Sequence, residues 1–224
     1  MLWLMLKRCY WRWRYHHPSM DVLLQSALPS ERSEFSHVDF LVVDLETTAL
    51  QAAEGEIASI GWVPIINGAI RLAGAEQHFA AVHSGVGQSA VIHNIRDSEL
   101  DHGVPVRALM DRLLEVAAGK VLVFHHAGLD MDFINTVSIK LYGAPLIAPV
   151  VDTLLLERRK FLRSNKVLAS GVLRLHRCRQ RYGLPDYPAH HALTDALATA
   201  ELLLAWAANA GGNKEVRLAD CLAQ

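Results

Sequence analysis

The sequence predicts an α/β protein in which a mixed five-stranded sheet is flanked by helices. Three predicted strands come first along the chain, and helices alternate with strands after them. With 224 residues, of which 51% are hydrophobic, the chain is long enough to bury one ordinary globular core. We therefore expect an N-terminal basic and aromatic extension with its linker over 1–36, one domain over 37–210 and a tail over 211–224.

The first three strands are predicted from apolar runs and one turn. Residues 37–44 are largely apolar, and a second apolar run, EIASIGWVPII, ends at Asn67-Gly68. An Asn-Gly pair between two such runs is typical of a two-residue hairpin turn. The segment AIRLAGAEQHFAAV is then the predicted returning strand, so the domain begins as an antiparallel meander.

The rest of the domain is predicted from helical periodicity and glycine stops. VPVRALMDRLLEVAAG has apolar residues at helical spacing, and KVLVFHH after it is a short buried strand. A helix is expected from about Asp130 to Leu141, with a strand in PLIAPVVDT after it. Three more helices are predicted in TLLLERRKFL, GVLRLHRCRQRYG and HALTDALATAELLLAWAANAGG.

The N-terminal segment has an unusual composition. It concentrates Trp3, Trp11 and Trp13 among cations, with no acid in the first twenty residues. Such a segment can pack on the domain, lie on a membrane surface, bind a nucleic acid or bind a protein partner. Packing on the domain is the favoured interpretation, and residues 19–36 are predicted to be an irregular connection.

Charge is distributed unevenly along the chain. The formal net charge of −1 does not mark the whole protein as a binder of nucleic acids or membranes, so such binding must depend on local charge. Residues 158–181 contain nine Lys and Arg residues and no acid. This segment is interpreted either as a solvated helix face or as a phosphate-binding flank.

The cysteines and the first residues bear on cellular location. The three cysteines have no spacing suited to zinc, which predicts a reducing compartment and no disulfide framework. The apolar run before Lys7 has only six residues, too few for a signal sequence or a membrane span. A cytoplasmic protein is therefore predicted.

Four carboxylates occupy positions that need an explanation. Asp44 and Glu46 are two residues apart on a strand, so they share a face while Leu45 points the other way. Two like charges held side by side are unfavourable unless a cation shares them or one stays protonated. Asp130 follows the strand VLVFHH, and Asp195 lies among Ala and Leu in the last predicted helix. Taken alone, Asp130 could cap a helix and Asp195 could face solvent.

Together these acids predict a site for two divalent metal ions. Mg²⁺ and Mn²⁺ take oxygen ligands, and two such ions about 3.5–4 Å apart can activate a water and stabilise the leaving oxygen of a phosphodiester. The expected cofactors are therefore two Mg²⁺ or Mn²⁺ ions. The expected ligands are Asp44, Glu46, Asp130 and Asp195.

Three stretches of the sequence, in this order, resemble the motifs of a known family. DLETTAL (44–50), FHHAGLDMDFI (124–134) and HHALTDALATAELL (190–203) are similar to the three exonuclease motifs of the DnaQ-like DEDD superfamily. AVIHNI (90–95) and VVDTL (150–154) are weaker matches. The resemblance implies a ribonuclease-H-like fold and metal-dependent removal of nucleotides from a 3′ end. It assigns the four acids to metal binding and matches His190 to the histidine of the DEDDh branch.

His190 is also supported by its spacing. On one regular helix, His190 and Asp195 would lie about 140° apart, so His190 is expected at or before the first helical turn. Histidine, with an unperturbed pKa near ~6.5, suits a general base that takes a proton from a metal-bound water. The resemblance further matches Thr47 and Leu50 to contacts with the terminal nucleotide, and His93 to a position near its base.

The chain departs from the family pattern beside the acids. Ala49 replaces the usual glycine, His126 the usual asparagine and Leu129 a common phenylalanine, which bears on substrate fit more than on metal chemistry. Asp152 could support the site or cap the helix that follows it. The residues interpreted as structural or surface groups are Asp132, His125, His126 and His191.

The leading functional prediction is a 3′→5′ exonuclease that acts on DNA, with single-stranded ends as the expected substrate. An RNA-trimming or oligoribonuclease-like enzyme is the first alternative. The second is a proofreading or nucleic-acid-binding subunit of a polymerase complex. DNA or RNA 3′ ends are the expected partners, and a protein partner of the N-terminal extension is a further hypothesis. The sequence leaves sugar preference, strand preference and oligomeric state open.

Overall fold

The computed structural model describes residues 1–81, 103–163, 168–188, 190–212 and 215–222. The strands within these residues are β1 (Phe40–Thr47), β2 (Ile57–Ile66), β3 (Ala69–Ile70), β4 (Glu76–Phe79), β5 (Val121–Phe124) and β6 (Val150–Asp152). The helices there are α1 (Leu2–Arg14), α2 (Pro18–Gln25), α3 (Val106–Ala117), α4 (Ala127–Tyr142), α5 (Thr153–Arg163), α6 (Leu175–Gln180), α7 (Ala192–Gly211) and α8 (Leu218–Cys221). Short 3₁₀ turns lie at Phe35–His37 and Leu72–Gly74.

One mixed sheet contains all the strands of the described residues. Its order is β3-β2-β1-β5-β6, and β4 also pairs with β2. β1 is antiparallel to β2 and parallel to β5, while β5 is parallel to β6. The prediction of an α/β protein with a mixed, helix-flanked sheet is confirmed.

The described sheet has six strands instead of the predicted five, because the strand that returns from the hairpin is broken. Asn67 and Gly68 both have positive φ, as the predicted Asn-Gly turn requires. The 3₁₀ turn at Leu72–Gly74 then interrupts the chain between β3 and β4, which both pair with β2. The single returning strand expected from the sequence is therefore two short ones.

Alternate residues of β1 enter two hydrophobic layers, one on each side of the sheet. Leu41 and Val43 belong to the layer that contains residues of α2, α3 and α4. Phe40 and Val42 belong to the opposite layer, together with residues of α7. Leu45 continues the first set, so the two acids of this strand face α7.

The prediction of an irregular connection over 19–36 is wrong where α2 forms. This helix has Pro in its first turn, where proline is well tolerated, and it buries Met20, Leu23 and Leu24. These three residues are spaced like an apolar helix face, and they join the same layer as Leu41. A helix of eight residues is too short for this spacing to be distinguished from a loop by its pattern.

Both ends of the described chain pack on the central sheet and its helices. α1 contacts the first layer through Leu4 and Trp11, as favoured from the sequence. Near the other end, Leu218 and Cys221 are buried. The domain limits at 36 and 210 stay a prediction. Within the described residues, the helices are too short or too polar to cross a membrane.

Candidate active site

Asp44 and Glu46 lie near the end of β1, the middle strand of the sheet. Asp44 pairs in register with Gly61 of β2, and Glu46 pairs with Ser59. The register shifts directly after Glu46, which is the mark of a β-bulge that changes the direction of a strand. Both carboxylates therefore face the same side of the sheet at the point where the strand leaves it.

α7 brings Asp195 to these acids because the helix packs very close to β2. A Cβ atom at Gly61 would overlap the backbone of Ala192 and Leu193, the first two residues of the helix. Any other residue at position 61 would push α7 away from the carboxylates. Gly61 is a site-forming position that the sequence analysis missed, although a lone glycine in an apolar strand signals close backbone approach.

Asp195 also has a structural role at the start of α7. It is the fourth residue of this helix, which begins at Ala192. Its carboxylate accepts the backbone N–H of His190 at 2.9 Å, and the backbone N–H of His191 is near enough to lower its pKa. The carboxylate therefore holds the chain that enters the helix, a role that the spacing of the motif did not indicate.

Asp130 lies in the first turn of α4, which begins at Ala127 instead of at Asp130. The N-cap residue is His126, so the alternative that Asp130 caps this helix is wrong. The backbone N–H of Leu45, the residue between the two acids of β1, is near enough to lower the pKa of the Asp130 carboxyl group. The buried Asp130 therefore lies beside the acidic end of the strand.

Asp152 holds the turn that leads into α4. Its carboxylate accepts the backbone N–H groups of His126 at 3.1 Å and Ala127 at 3.0 Å, and also that of Leu154 at 2.9 Å. It therefore caps α5 and supports the helix of Asp130 at the same time. His126 has a φ of 86°, a conformation that Asn and His adopt more readily than most residues, so a histidine can replace the usual asparagine.

The four acids meet between the end of β1 and the first turns of α4 and α7. Carboxylate oxygens of Asp44, Glu46 and Asp195 lie within 4.8 Å of one another. Asp130 is near enough for its charge to raise the pKa of both Asp44 and Glu46. Residues from three separate stretches of the sequence thus form one cluster.

Burial raises the pKa of all four carboxyl groups and is the largest cause in each case. The pKa of Asp44 lies well above its usual range because the charges of Asp130, Asp195 and Glu46 add to burial. Burial and the charges of Asp195 and Asp130 raise the pKa of Glu46 to about 8. Burial raises the pKa of Asp130 to about 7 and also raises that of Asp195, although nearby backbone N–H groups lower both pKa values.

This donor set fits divalent ions that prefer oxygen ligands. Carboxylates are hard anionic ligands of the kind that Mg²⁺ and Mn²⁺ take in proteins. A cation among the four groups would lower their raised pKa values, because it favours their ionised forms. The cluster could therefore hold such ions.

His190 stands directly before α7. The N-cap of the helix is His191, and His190 precedes it with a φ of 68°. His190 thus lies ahead of the first helical turn, where the spacing to Asp195 predicted it. It lines the same cavity as Asp44 and Asp195, whereas the ring of His191 lies 3.2 Å from the Thr194 hydroxyl.

A cavity of about 930 Å³ opens beside these groups. Part of its wall is the segment from Leu168 to His176. His125 fastens this wall to the sheet, because its ring bonds to the Thr153 hydroxyl at 2.8 Å and to the Leu173 carbonyl at 2.9 Å. Burial lowers the pKa of His125, which favours the neutral ring.

Arg179 braces the loop that leads to α7. Its guanidinium, 2% exposed, donates to the carbonyls of Ala198 at 2.5 Å and Pro185 at 2.8 Å and to the Glu201 carboxylate at 2.7 Å. The Tyr187 ring lies 4.7 Å from the guanidinium, and its hydroxyl donates to Glu201 at 2.9 Å. In the sequence Arg179 is one cation of a basic run, and no local pattern there indicates this brace.

The basic segment 158–181 divides into structural and accessible cations. Arg181 is paired with the buried Glu157 at 2.7 Å, so it helps to hold α5 against the chain after α6. Arg174 lines the large cavity, and with Arg177 it lines a neighbouring cavity of about 540 Å³. The phosphate-binding interpretation is therefore best supported at Arg174 and Arg177.

The predicted nucleotide contacts have different surroundings. Thr47 is buried and donates its hydroxyl to the Ala49 carbonyl at 2.8 Å, a local turn bond. Leu50 is 83% exposed and follows the bulge by a few residues. His93 lies outside the described residues. The substrate roles of all three stay predictions.

A family model described as exonuclease, RNase_T, matches residues 41–203. The chain belongs to this exonuclease family. The matched range contains every acid of the cluster and also His190. The resemblance to DnaQ-like DEDD exonucleases, first drawn from three short motifs, is confirmed.

A much longer relative of this chain is the PolC-type DNA polymerase III of Thermotoga petrophila. The two are 27% identical over 175 residues. The alignment covers 77% of this chain but only 12% of the polymerase. This chain thus corresponds to a small part of that protein.

Two solved structures share the fold of this chain. Exonuclease X, solved in complex with 5′ overhanging duplex DNA, has a TM-score of 0.60 and 21% identity over 81% of this chain and 98% of its own. The nuclease domain of 3′hExo, a DEDDh family member bound to rAMP, has a TM-score of 0.62 and 12% identity over 77% of this chain and 92% of its own. The expected ribonuclease-H-like fold is confirmed.

The metal-free protein is expected to lose stability as the pH rises from about 5 to about 8. In this range the folded protein retains protons on Glu46 and Asp130 that the unfolded chain has released, because their pKa values are raised to about 8 and about 7. The folded state binds more protons, so the free energy of unfolding falls with rising pH. Urea unfolding in chelator at several pH values measures this slope, and Mg²⁺ or Mn²⁺ should flatten it.

Two variants separate the cluster from the rest of the protein in this measurement. Glu46→Gln removes one of the titrating groups and should reduce the slope in chelator. Asp132→Asn removes an exposed carboxylate from the same helix as Asp130 and should leave the slope unchanged. A metal-free wild-type protein that gains stability over this pH range would contradict the repulsion described for the four acids.

Proposed function

We propose that this exonuclease removes nucleotides stepwise from the 3′ end of DNA, preferably single-stranded, by two-metal-ion hydrolysis of the phosphodiester. One observation carries the proposal, namely the convergence of four carboxylates beside a cavity in a chain of the exonuclease family. The residues that form this centre are Asp44, Glu46, Asp130, Asp195 and His190.

The four carboxylates are the proposed ligands of two Mg²⁺ or Mn²⁺ ions. Bound ions of this kind lower the pKa of a water and stabilise the charge that develops on the leaving oxygen. Asp44 and Glu46 are fixed by β1, while Asp130 and Asp195 are fixed by the first turns of two helices. Ligands on rigid elements keep the geometry that the reaction needs.

His190 is the proposed general base. Its imidazole accepts a proton from the water that attacks the phosphorus. The bond from phosphorus to the 3′ oxygen of the preceding nucleotide breaks, that oxygen takes up a proton from solvent, and a nucleoside 5′-monophosphate leaves. The shortened strand keeps a free 3′ hydroxyl for the next cycle. Support comes from the position of His190 at the cavity that Asp44 and Asp195 also line.

The path of the nucleic acid is proposed to pass Arg174 and Arg177. Arg174 lines the large cavity together with His190, and Arg174 and Arg177 both line the neighbouring cavity. Phosphate groups would be attracted there, since guanidinium groups bind them with two parallel hydrogen bonds. Thr47, Leu50 and His93 are the proposed contacts of the terminal nucleotide.

The two alternatives each have some support. The ligands in the structural neighbours include both DNA and rAMP, so an RNA-trimming activity is the first alternative. The relative that is a DNA polymerase supports a proofreading role within a larger assembly as the second. A protein partner of the N-terminal extension and a cytoplasmic location stay predictions.

Matched oligonucleotides labelled at the 5′ end test the proposed reaction. Single-stranded DNA should yield a ladder that shortens stepwise with Mg²⁺ or Mn²⁺, and no products should form in excess chelator. Faster digestion of RNA would favour the first alternative. Release of a labelled 5′ mononucleotide at the outset, or full activity in chelator, would overturn the proposal.

Replacing His190 with Asn should lower turnover by roughly 10²–10⁴-fold, the usual range for a positioned acid–base group. Metal binding should persist, because the proposed ligands are the four carboxylates. The matched control is His191→Asn, which should change the rate little because its ring lies against Thr194. Single-turnover digestion with saturating enzyme measures both variants, and a reversed order would remove His190 from its role.

Reversing the charge of Arg174 and Arg177 should weaken binding of single-stranded DNA. Each phosphate that is no longer neutralised should reduce the slope of log affinity against log salt by about 0.7, because fewer counterions are released. Arg158→Glu makes the same change of charge at an exposed position of α5 and serves as the control. Fluorescence anisotropy at several salt concentrations measures the affinity for single-stranded DNA and its dependence on salt. An equal loss of affinity on charge reversal at Arg174, Arg177 and Arg158 would mean that only net charge matters.

A further inference from the structure

Six large apolar side chains of α1 face solvent, and each is more than half exposed. They are Leu2, Trp3, Met5, Leu6, Tyr10 and Trp13, with exposed fractions of 53–75%. Their spacing places them along one side of the helix, which we define as the outer face of α1. An exposed apolar patch of this kind on a folded domain marks an interaction surface.

The opposite side of α1 is fixed to the protein. Leu4 and Trp11 pack on the hydrophobic layer beneath the helix. Arg8 is 4% exposed, and its guanidinium donates to the carbonyls of Leu23 and, at 2.9 Å, Ser26. The helix is therefore held in place with its outer face turned away from the domain. Packing on the domain explains the apolar residues on one side of α1 but not those of the outer face.

Cations flank the outer face. Lys7, Arg12 and Arg14 lie beside the apolar stripe, and α1 contains no acid. The Lys7 ammonium lies 3.4 Å from the centre of the Trp3 ring, so the charge stays at the border of the apolar surface. At a lipid surface such cations reach the phosphates while the apolar side chains enter the acyl boundary and Trp and Tyr lie at the interface.

We propose that the outer face of α1 docks this exonuclease on an anionic lipid bilayer, with the helix lying in the plane of the surface. The helix has 13 residues and is about 20 Å long, which suits an interfacial segment and not a span. Apolar burial and charge attraction act together here, and stable peripheral binding generally requires two such contributions.

Two other occupants fit the outer face less well. A second copy of the same helix would bring the cations of both copies together with no acid on either helix to pair with them. A nucleic acid would require cations in the middle of the contact, because phosphate contacts dominate its affinity. Here the middle is formed by aliphatic and aromatic side chains, with the cations at the border.

Sedimentation with vesicles tests this proposal without reference to nuclease activity. The full chain should bind vesicles made of equal amounts of phosphatidylcholine and phosphatidylglycerol. It should bind vesicles of pure phosphatidylcholine weakly. Arg12→Gln and Arg14→Gln should each weaken binding to the anionic vesicles about fivefold. Leu6→Glu should weaken binding at least about tenfold, because it places a charge where an apolar side chain would enter the bilayer.

The matched control is Leu72→Glu, since Leu72 is 65% exposed but lies outside α1. It should bind like the wild type, and thermal unfolding should show that each variant is folded. Brominated lipids should quench the tryptophan fluorescence of the wild type more than that of a Trp3→Phe/Trp13→Phe variant. The proposal is overturned if the wild-type protein stays in solution with anionic vesicles, or if Leu6→Glu binds them as strongly as the wild type does. It is also overturned if α1 instead forms a dimer or a DNA complex that Leu6→Glu abolishes. Equal quenching of the wild type and the Trp3→Phe/Trp13→Phe variant would overturn it as well.

Discussion

Repulsion among four clustered carboxylates, of which Glu46 and Asp130 are buried and Asp44 and Asp195 half-buried, is the constraint on which the rest of the site depends. Burial raises the pKa of each group, and the neighbouring charges raise those of Asp44 and Glu46 further. A protein free to relax would separate such groups, so the surrounding structure must hold them together. The central strand, two helix starts and the close contact of a helix with a neighbouring strand provide that restraint.

Backbone N–H groups are a large part of this restraint. The N–H of His190 binds the Asp195 carboxylate, and the N–H groups of Leu45 and His191 lower the pKa of Asp130 and Asp195. Outside the cluster, the Asp152 carboxylate also accepts backbone N–H groups, and these bonds join the starts of two helices. These dipoles partly compensate the negative charge without adding a cation that would compete for the carboxylates. The site thus keeps its anionic character while its members stay fixed.

The parts of the fold that follow from local patterns were predictable, and the parts that follow from distant contacts were not. Alternation along β1 was enough to place Asp44 and Glu46 on one face, and the spacing to Asp195 placed His190 ahead of the helix. By contrast, Gly61 matters only because a helix from much later in the chain approaches it, and Arg179 is buried only because α7 and a loop close around it. The periodicity of apolar residues along a segment does not indicate contacts with distant parts of the chain. The break between β3 and β4 was missed because its apolar residues also fit one continuous strand.

The double role of Asp195 affects how its chemistry can be isolated. Its side chain provides an anionic oxygen to the cluster and also accepts backbone N–H groups before the helix. Alanine at this position removes both functions, so any defect would mix a lost charge with a disordered helix start. Asparagine keeps a carbonyl oxygen that can accept the same backbone bonds while it removes the charge. The isosteric amide is therefore the substitution that distinguishes an electrostatic contribution from an architectural one.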